Sequence, residues 1–379
     1  MKIIGIVCEY NPFHLGHRKQ LAAIRTLYGG DCAIVCLMSG NYVQRGQPAI
    51  FDKSCRAEAA ISSGADLVLE LPVTYALSSA EGFAAGGVRI LSGFCDGLCF
   101  GTESGDQDRL ISTAQALLSP TFPDALRQQL DKGLSFPAAR QAALGEMGEL
   151  LRNPNDILAV EYCKAILSQE SAMEPIPIFR QGSYHDDAPD PENPSATFLR
   201  KRISESGPWH RFVPESAVSA LENADIHLLS AGEQAILARL RTMTEEEFES
   251  IPYGSEGLWR KFMHACRSQA SLEEIISATK SKRYTRTRLD RMVMCAFLGI
   301  TQAQLDTPAP YTRVLAFNDA GRAVLKRARL SGSFPHVGEA QEDPYWLLEQ
   351  RCSDLYGLFR AGSPAPAGLE SKRRVFVQK

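Results

Sequence analysis

Short apolar runs alternate with amphipathic stretches through the first hundred residues. Residues 2–7 (KIIGIV), 32–38 (CAIVCLM), 66–71 (DLVLEL) and 96–100 (DGLCF) are brief and rich in Val, Ile and Leu. Each is bounded by turn residues, which predicts buried strands. Between them, residues 14–30, 53–63 and 79–91 carry helical patterning. Gly29-Gly30 and Gly64 are expected to stop the first two helices, and Asp52 to cap the second. Strands and helices alternating at this spacing predict βαβ units, hence a parallel sheet with right-handed crossovers. Residues 106–151 read as mostly helical, with breaks at Ser119-Pro120 and Phe136-Pro137. Asn155 or Asp156 is expected to cap a helix over 157–168. Residues 173–179 contain Pro175 and Pro177 and predict an edge or terminal strand, with Arg180 at its end.

His185-Asp186-Asp187 and the Pro-rich run to Pro194 predict a loop, after which Ser195-Ala196-Thr197 opens a helix bearing Arg200, Lys201 and Arg202. A hydroxyl-rich helix start followed by arginine suits a phosphate and suits plain N-capping equally. Residues 209–214 read as a linker. Beyond it the patterning is helical through 298, resumes at 321–330 and 343–359, and leaves a loosely ordered tail. The expected organisation is an α/β unit at 1–210 followed by a mainly α-helical unit at 211–379.

Composition narrows the class. Of 379 residues, 44% are hydrophobic and 22% charged, ordinary values for a globular chain. No apolar run is long enough to span a bilayer, and the N-terminus lacks the form of a signal peptide, so a cytoplasmic protein is expected. Ten cysteines occur without a C-x-x-C pair or a disulfide framework; Cys32, Cys36, Cys95 and Cys99 read as reduced, buried residues. Cys95 and Cys99 would need a second pair to hold zinc. A net charge of −3 excludes a uniformly basic nucleic-acid binder, but not one basic face.

The first strand leads into Cys8-Glu9-Tyr10-Asn11-Pro12-Phe13, where Pro12 keeps Asn11 out of the helical region. His14-Leu15-Gly16-His17 then opens a helix. A strand, a tight loop and a helix start offer unpaired N–H groups and the positive end of a dipole to phosphate. The two imidazoles lie on one helical face and can donate to phosphate oxygens. Gly16 leaves room for a base or ribose against the backbone. Two histidines near a helix start are also compatible with surface positions or half of a metal site. No G-x-G-x-x-G follows the first strand, and no P-loop motif occurs, which disfavours both nucleotide folds. At 40–46 and at Gly101, polar or glycine turns end two further strands, where α/β sheets bind ligands.

Residues 279–291 (TKSKRYTRTRLDR) form the densest basic run, carrying Lys280, Lys282, Arg283, Arg286, Arg288 and Arg291. Such a run suits a nucleic-acid backbone or a solvated helix face. Lys280-Ser281-Lys282 faintly matches a synthetase K-M-S-K-S loop, but the predicted helical context, remote from the sheet, argues against that.

Taken together, GIVCEYNPFHLGH at 5–17, GNYVQRGQPAI at 40–50, FGTE at 100–103, PNDIL at 154–158 and KRYTRTR at 282–288 resemble the bacterial tRNA(Met) cytidine acetate ligase family. The resemblance extends to at least Phe317. It implies a nucleotidyltransferase-like α/β domain with a mainly helical C-terminal domain. It also implies activation of acetate by ATP to acetyl-adenylate and pyrophosphate, then acetyl transfer to N4 of the wobble cytidine of elongator tRNA(Met). The implied catalytic residues are His14 and His17. The implied ATP contacts are Val7, Cys8, Glu9, Tyr10, Asn11, Pro12, Phe13, His14, Leu15, Gly16, His17, Arg18, Lys19, Gln20, Gly101, Asn155 and Arg180. Magnesium is expected on the triphosphate, with no protein ligand assigned, no membrane and no protein partner. The rival readings are a nucleotidyltransferase acting on a small metabolite and an RNA-binding homologue without catalysis.

Overall fold

A computed structural model of the chain describes residues 1–180, 194–331 and 343–379. The loop expected over 185–194 lies outside the described residues except for Pro194. Among the described residues nine strands occur in chain order: β1 (Lys2–Cys8), β2 (Cys32–Ser39), β3 (Tyr42–Val43), β4 (Gln47–Pro48), β5 (Leu67–Leu71), β6 (Gly97–Thr102), β7 (Glu174–Phe179), β8 (Arg313–Phe317) and β9 (Phe376–Val377). Seven of them form one sheet in the order β7-β6-β1-β2-β5-β8-β9; β3 and β4 make a separate hairpin. The expected strands run parallel, and β7 is paired on one side by β6, near the sheet's edge. β8 joins antiparallel to β5 and carries β9 parallel on its far side. The sheet therefore draws on both of the segments distinguished by patterning.

Strand parity sorts the core. Ile3, Val35, Leu37, Leu69 and Phe100 face the helices Ala80–Leu91, Gln107–Leu118 and Pro154–Ser168. Ile4, Ile6, Cys36, Met38 and Val68 face the other way, onto helices α1 (Leu15–Tyr28) and α2 (Lys53–Ser62). A third core is built around the helices Leu229–Thr242, Leu258–Ser268 and Arg286–Leu298 and also takes in Tyr42, Val73 and Leu77. Among the cysteines, all but Cys55 are buried and none is in a disulfide.

Two expectations are corrected. The segment 209–214 is no linker: Trp209, Phe212 and Val213 are buried in the core beside α2. The tail is tied down. Buried Glu370 pairs with Lys53 of α2 at 2.9 Å and with Arg313, while Arg373 clasps Asp52. Lys53 also meets Glu70 at 2.6 Å. Lys53 and Glu70 line a small cavity with Glu349, whose carboxylate accepts the Val73 N–H at 2.8 Å. Burial and the charge of Glu70 push Glu349 up to about 7.

Candidate active site

The order β6-β1-β2 places the sheet's topological switch between β1 and β6, since the chain leaves β1 for β2 on one side and returns as β6 on the other. Ligands of open α/β sheets bind in the crevice outside the carboxyl ends of such strands. Here those ends are the loop 9–14 and the turn Gly101–Ser104.

The first loop is fixed from below by Arg56 of α2, which is fully buried. Its guanidinium donates to the carbonyls of Phe51 (2.9 Å), Glu9 (2.5 Å), Ser39 (3.1 Å) and Gly40. One cation thus ties together carbonyls after β1, at the end of β2 and just before α2. Asn11 Oδ1 accepts the Ile50 N–H at 2.8 Å, and Arg200 donates to the Asn11 carbonyl at 2.8 Å. Tyr10 sits at φ 44°, a conformation costly for a non-glycine residue, and its ring is buried against Phe13. The Asn11–Pro12 peptide is cis.

His14 is the N-cap of α1. Its Nδ1 accepts the Gly16 N–H at 3.1 Å, and His17 Nδ1 accepts the His14 N–H at 3.2 Å. The two histidines form a reciprocal capping box in the manner of Ser and Glu, with rings stacked 3.7 Å apart. Because each Nδ1 accepts, each neutral ring carries its proton on Nε2. His14 is 1% exposed, and its Nε2 has no partner among the described residues. Burial, then Arg180 and Arg200, lower the His14 pKa to about 3; burial, His14 and Arg180 hold half-buried His17 well below its usual value. The pair is neutral at pH 7 and presents N–H donors in a positive field. That arrangement suits an anion better than a metal cation. A Cβ at Gly16 would lie 3.0 Å from the His14 ring, so the glycine makes room for the capping imidazole.

On the β6 side, Arg180 donates its backbone N–H to the Thr102 carbonyl at 2.9 Å. Among the described residues, a Cβ added at Gly101 would meet only Arg180 Cδ, at 4.0 Å. No contact among the described residues demands glycine there. The helix beginning at Pro154 starts earlier than expected, with Asn153 at its cap position and no side-chain cap bond of its own. Its first turn is capped from β6. Glu103 accepts from Asn155 Nδ2 at 2.6 Å and from the Asp156 N–H at 2.9 Å. Buried Asp156 accepts in return from the N–H groups of Glu103 (3.0 Å) and Ser104 (3.1 Å) and from the Thr102 hydroxyl. Asn155 and Asp156 are therefore not caps; they are half of a lock that holds Gly101–Ser104 against the helix.

The remaining residues of the 7–20 segment divide by burial. Cys8 is buried, Val7 packs against the first core, and Gln20 reaches Cys99 Sγ at 3.6 Å. Leu15 is half-buried, while Arg18 and Lys19 are exposed on α1. Glu9 accepts the Gln44 N–H at 2.7 Å, tying the loop to the β3–β4 hairpin.

The basic run is more neutralised than its sequence suggests. Arg283 pairs with Glu256 at 2.8 Å, and Arg286 pairs with Glu273 at 2.7 Å and Asp290 at 2.9 Å. Arg288 donates to the Tyr253 carbonyl at 2.8 Å. Lys280 and Lys282 are exposed. Arg291 stacks over Tyr253 and donates to the Gln44 carbonyl at 3.4 Å. Gly46, at φ +74°, lies so close that an added Cβ would be 2.4 Å from the Arg291 nitrogen. The hairpin thus bridges the loop after β1 and the helix that ends the basic run.

Among the described residues, no three His, Cys, Asp or Glu side chains converge to hold a metal ion, and no helix is long and apolar enough to cross a membrane.

The HIGH Nucleotidyl Transferase family model matches residues 1–368. The tRNA(Met) cytidine acetate ligase of Clostridium novyi is 38% identical, with 88% of this chain and 89% of the relative aligned. That of Acetivibrio thermocellus is 36% identical across the whole of both chains. Crystal structures of Thermotoga maritima TmcAL superpose with TM-scores of 0.91 for the apo form (30% identity, 100% and 99% coverage) and 0.87 for the form bound with alpha-thio ATP (29% identity, full coverage of both).

Proposed function

The chain belongs to the tRNA(Met) cytidine acetate ligase family, and from that premise we propose that it is an ATP-dependent ligase that acetylates N4 of the wobble cytidine in elongator tRNA(Met). The observation that carries the reading is the His14–His17 capping box, with a buried Nε2 donor left for a ligand.

In the first step an acetate oxygen attacks the α-phosphorus of ATP; the new P–O bond makes acetyl-adenylate, and pyrophosphate leaves. The need is for donors on the phosphate oxygens and for in-line placement, not for a covalent nucleophile. His14 and His17 supply Nε2–H donors, and Arg180 adds charge beside them. In the second step the cytidine amine attacks the acetyl carbonyl, AMP leaves, and the amine loses a proton. Since an anticodon-loop base is single-stranded, it can be turned out toward the adenylate. Among the described residues no group of three His, Cys, Asp or Glu converges on one point. Magnesium carried on the triphosphate needs no such cluster, and no step here is routed through it.

We assign residues 7–20, Gly101, Asn155 and Arg180 to ATP, and the helical unit to the tRNA. The bridge from Glu9 through Gln44 to Arg291 supports this division, because it couples the nucleotide loop to the basic run. Lys280 and Lys282 are the cations best suited to phosphate, being exposed. Acetate-dependent ATP–pyrophosphate exchange tests the assignment: exchange that acetate does not stimulate removes the ligase reading in favour of another nucleotidyl transfer. The Lys280→Ala/Lys282→Ala variant should weaken tRNA binding and lower its salt slope by between about 1 and 2. An unchanged slope sends the tRNA elsewhere.

A further inference from the structure

The turn after β6 contains a hydrogen bond whose direction is fixed by chemistry. An ionised carboxylate only accepts, so the amide group that Asn155 turns toward Glu103, 2.6 Å away, must be its NH2. The Asn155 carbonyl oxygen is thereby left as the group not committed to Glu103. No partner for it is found among the described residues, and the side chain is half-buried beside the crevice at the end of β6. The lock is held from both sides. Glu103 also accepts the Asp156 N–H, and Asp156 holds the Glu103 and Ser104 N–H groups, so neither carboxylate is free to turn.

We propose that Glu103 is a positioning residue that holds Asn155 with its carbonyl toward the nucleotide, so that Asn155 reads the 6-amino group of adenine and rejects a 6-oxo purine. The inference rests on the assignment of Asn155 to ATP. Ribose hydroxyls both donate and accept, and would be served by an amide in either orientation. A carboxylate that pins the amide one way has a consequence only opposite a group of fixed polarity. A fixed carbonyl can face only a donor, and on adenosine the one group that only donates is the exocyclic amine, since N1, N3 and N7 only accept; the oxo group of inosine or guanosine accepts in its place. An oxo group facing the Asn155 carbonyl leaves two acceptors opposed and unpaired, a situation that costs about tenfold or more in affinity. Among the described residues nothing crowds Gly101, which leaves a flat ring room to approach the same turn.

Calorimetric binding of ATP, ITP and 2′-deoxy-ATP to the full chain tests this. The wild type is expected to bind ATP at least about tenfold more tightly than ITP. In Glu103→Gln the facing amide can donate, so Asn155 is free to turn over, and the ATP-to-ITP ratio should fall to within about threefold. Adding Asn155→Asp to that variant restores a one-way pair, with the introduced glutamine amide donating to a carboxylate that can only accept; the ratio should return toward the wild-type value. A turn that was merely structural would weaken both nucleotides together and leave the ratio unchanged. That result, or a wild type that discriminates against 2′-deoxy-ATP but not ITP, overturns the proposal. Asn155→Ala with unchanged ATP affinity removes the assignment of Asn155 itself. Weakened ATP binding in Asn155→Ala, together with an unaltered ratio in Glu103→Gln, removes only the role of Glu103.

Discussion

His14 has two jobs that one substitution can separate. Its Nδ1 caps α1 through the Gly16 N–H, and its Nε2 is the buried donor offered to a ligand. Replacement by alanine removes both; replacement by serine restores the cap, because a serine hydroxyl at this position accepts from the first-turn N–H groups but is too short to reach the phosphate. Loss of the ring's packing is common to the two variants, since both remove the imidazole that stacks 3.7 Å from His17. Their difference in stability therefore isolates the cap, about 1 kcal/mol. Loss of a preorganised donor to a developing anion costs about 10²–10³ in rate. We expect His14→Ser to be more stable than His14→Ala by about 1 kcal/mol in urea unfolding, while both form acetyl-adenylate at least about 100-fold more slowly than the wild type. If activity recovers along with stability in His14→Ser, His14 acts by holding the helix, and the donor argument fails.

Other outcomes follow from the same groups. The His14 pKa of about 3 lies below that of the unfolded chain, so the folded protein binds fewer protons; this stability is present above pH 6.5 and is lost as pH falls from there toward 3. The slope should be about 1.4 kcal/mol per pH unit from His14 alone, and equilibrium unfolding of His14→Ser between pH 4 and 6.5 should show it flattened. Glu349 has the opposite sign: its pKa is raised to about 7, so its protonated form favours the fold at low pH and that stability is lost as pH rises through 7. Glu349→Gln, which keeps an acceptor for Val73, should gain up to ~3 kcal/mol at about pH 8 and little at about pH 5; equal effects at both would contradict the raised pKa. Arg56→Lys keeps the charge but cannot fork across four carbonyls; it should cost about 3 kcal/mol or more and weaken ATP binding, measured by unfolding and calorimetry.

The sequence carried the strands and helices that are local. Residues 2–7, 32–38, 66–71 and 96–100 are apolar because both faces of their sheet are covered, and such runs declare themselves. β8 and β9 do not. Arg313–Phe317 has only five residues with mixed burial, and its partner β5 lies in a distant part of the chain. Phe376–Val377 is a strand only because β8 offers it an edge. Residues 209–214 are short, without strand or helix period, and Pro-terminated, yet Trp209 and Phe212 find a core supplied by α2. In the site, the H-x-G-H pattern was legible as a helix start, and its reciprocal capping follows from the three-residue spacing. Arg56 was not legible: it sits in an ordinary-looking helix, KSCRAEAAIS, and a lone arginine among alanines was the available signal. Glu103 was visible within FGTE, but its hold on Asn155 is a tertiary fact that spacing does not encode.

The central claim is that a nucleotide site built on His14 and His17 makes an acetyl donor for tRNA. Its most direct test is mass spectrometry of nucleosides from elongator tRNA(Met) after incubation with the protein, ATP and isotope-labelled acetate. The account predicts labelled N4-acetylcytidine at the wobble position with the wild type, and its loss with His17→Ala while tRNA affinity is kept. Unmodified cytidine with the wild type, or undiminished labelling with His17→Ala, would contradict it.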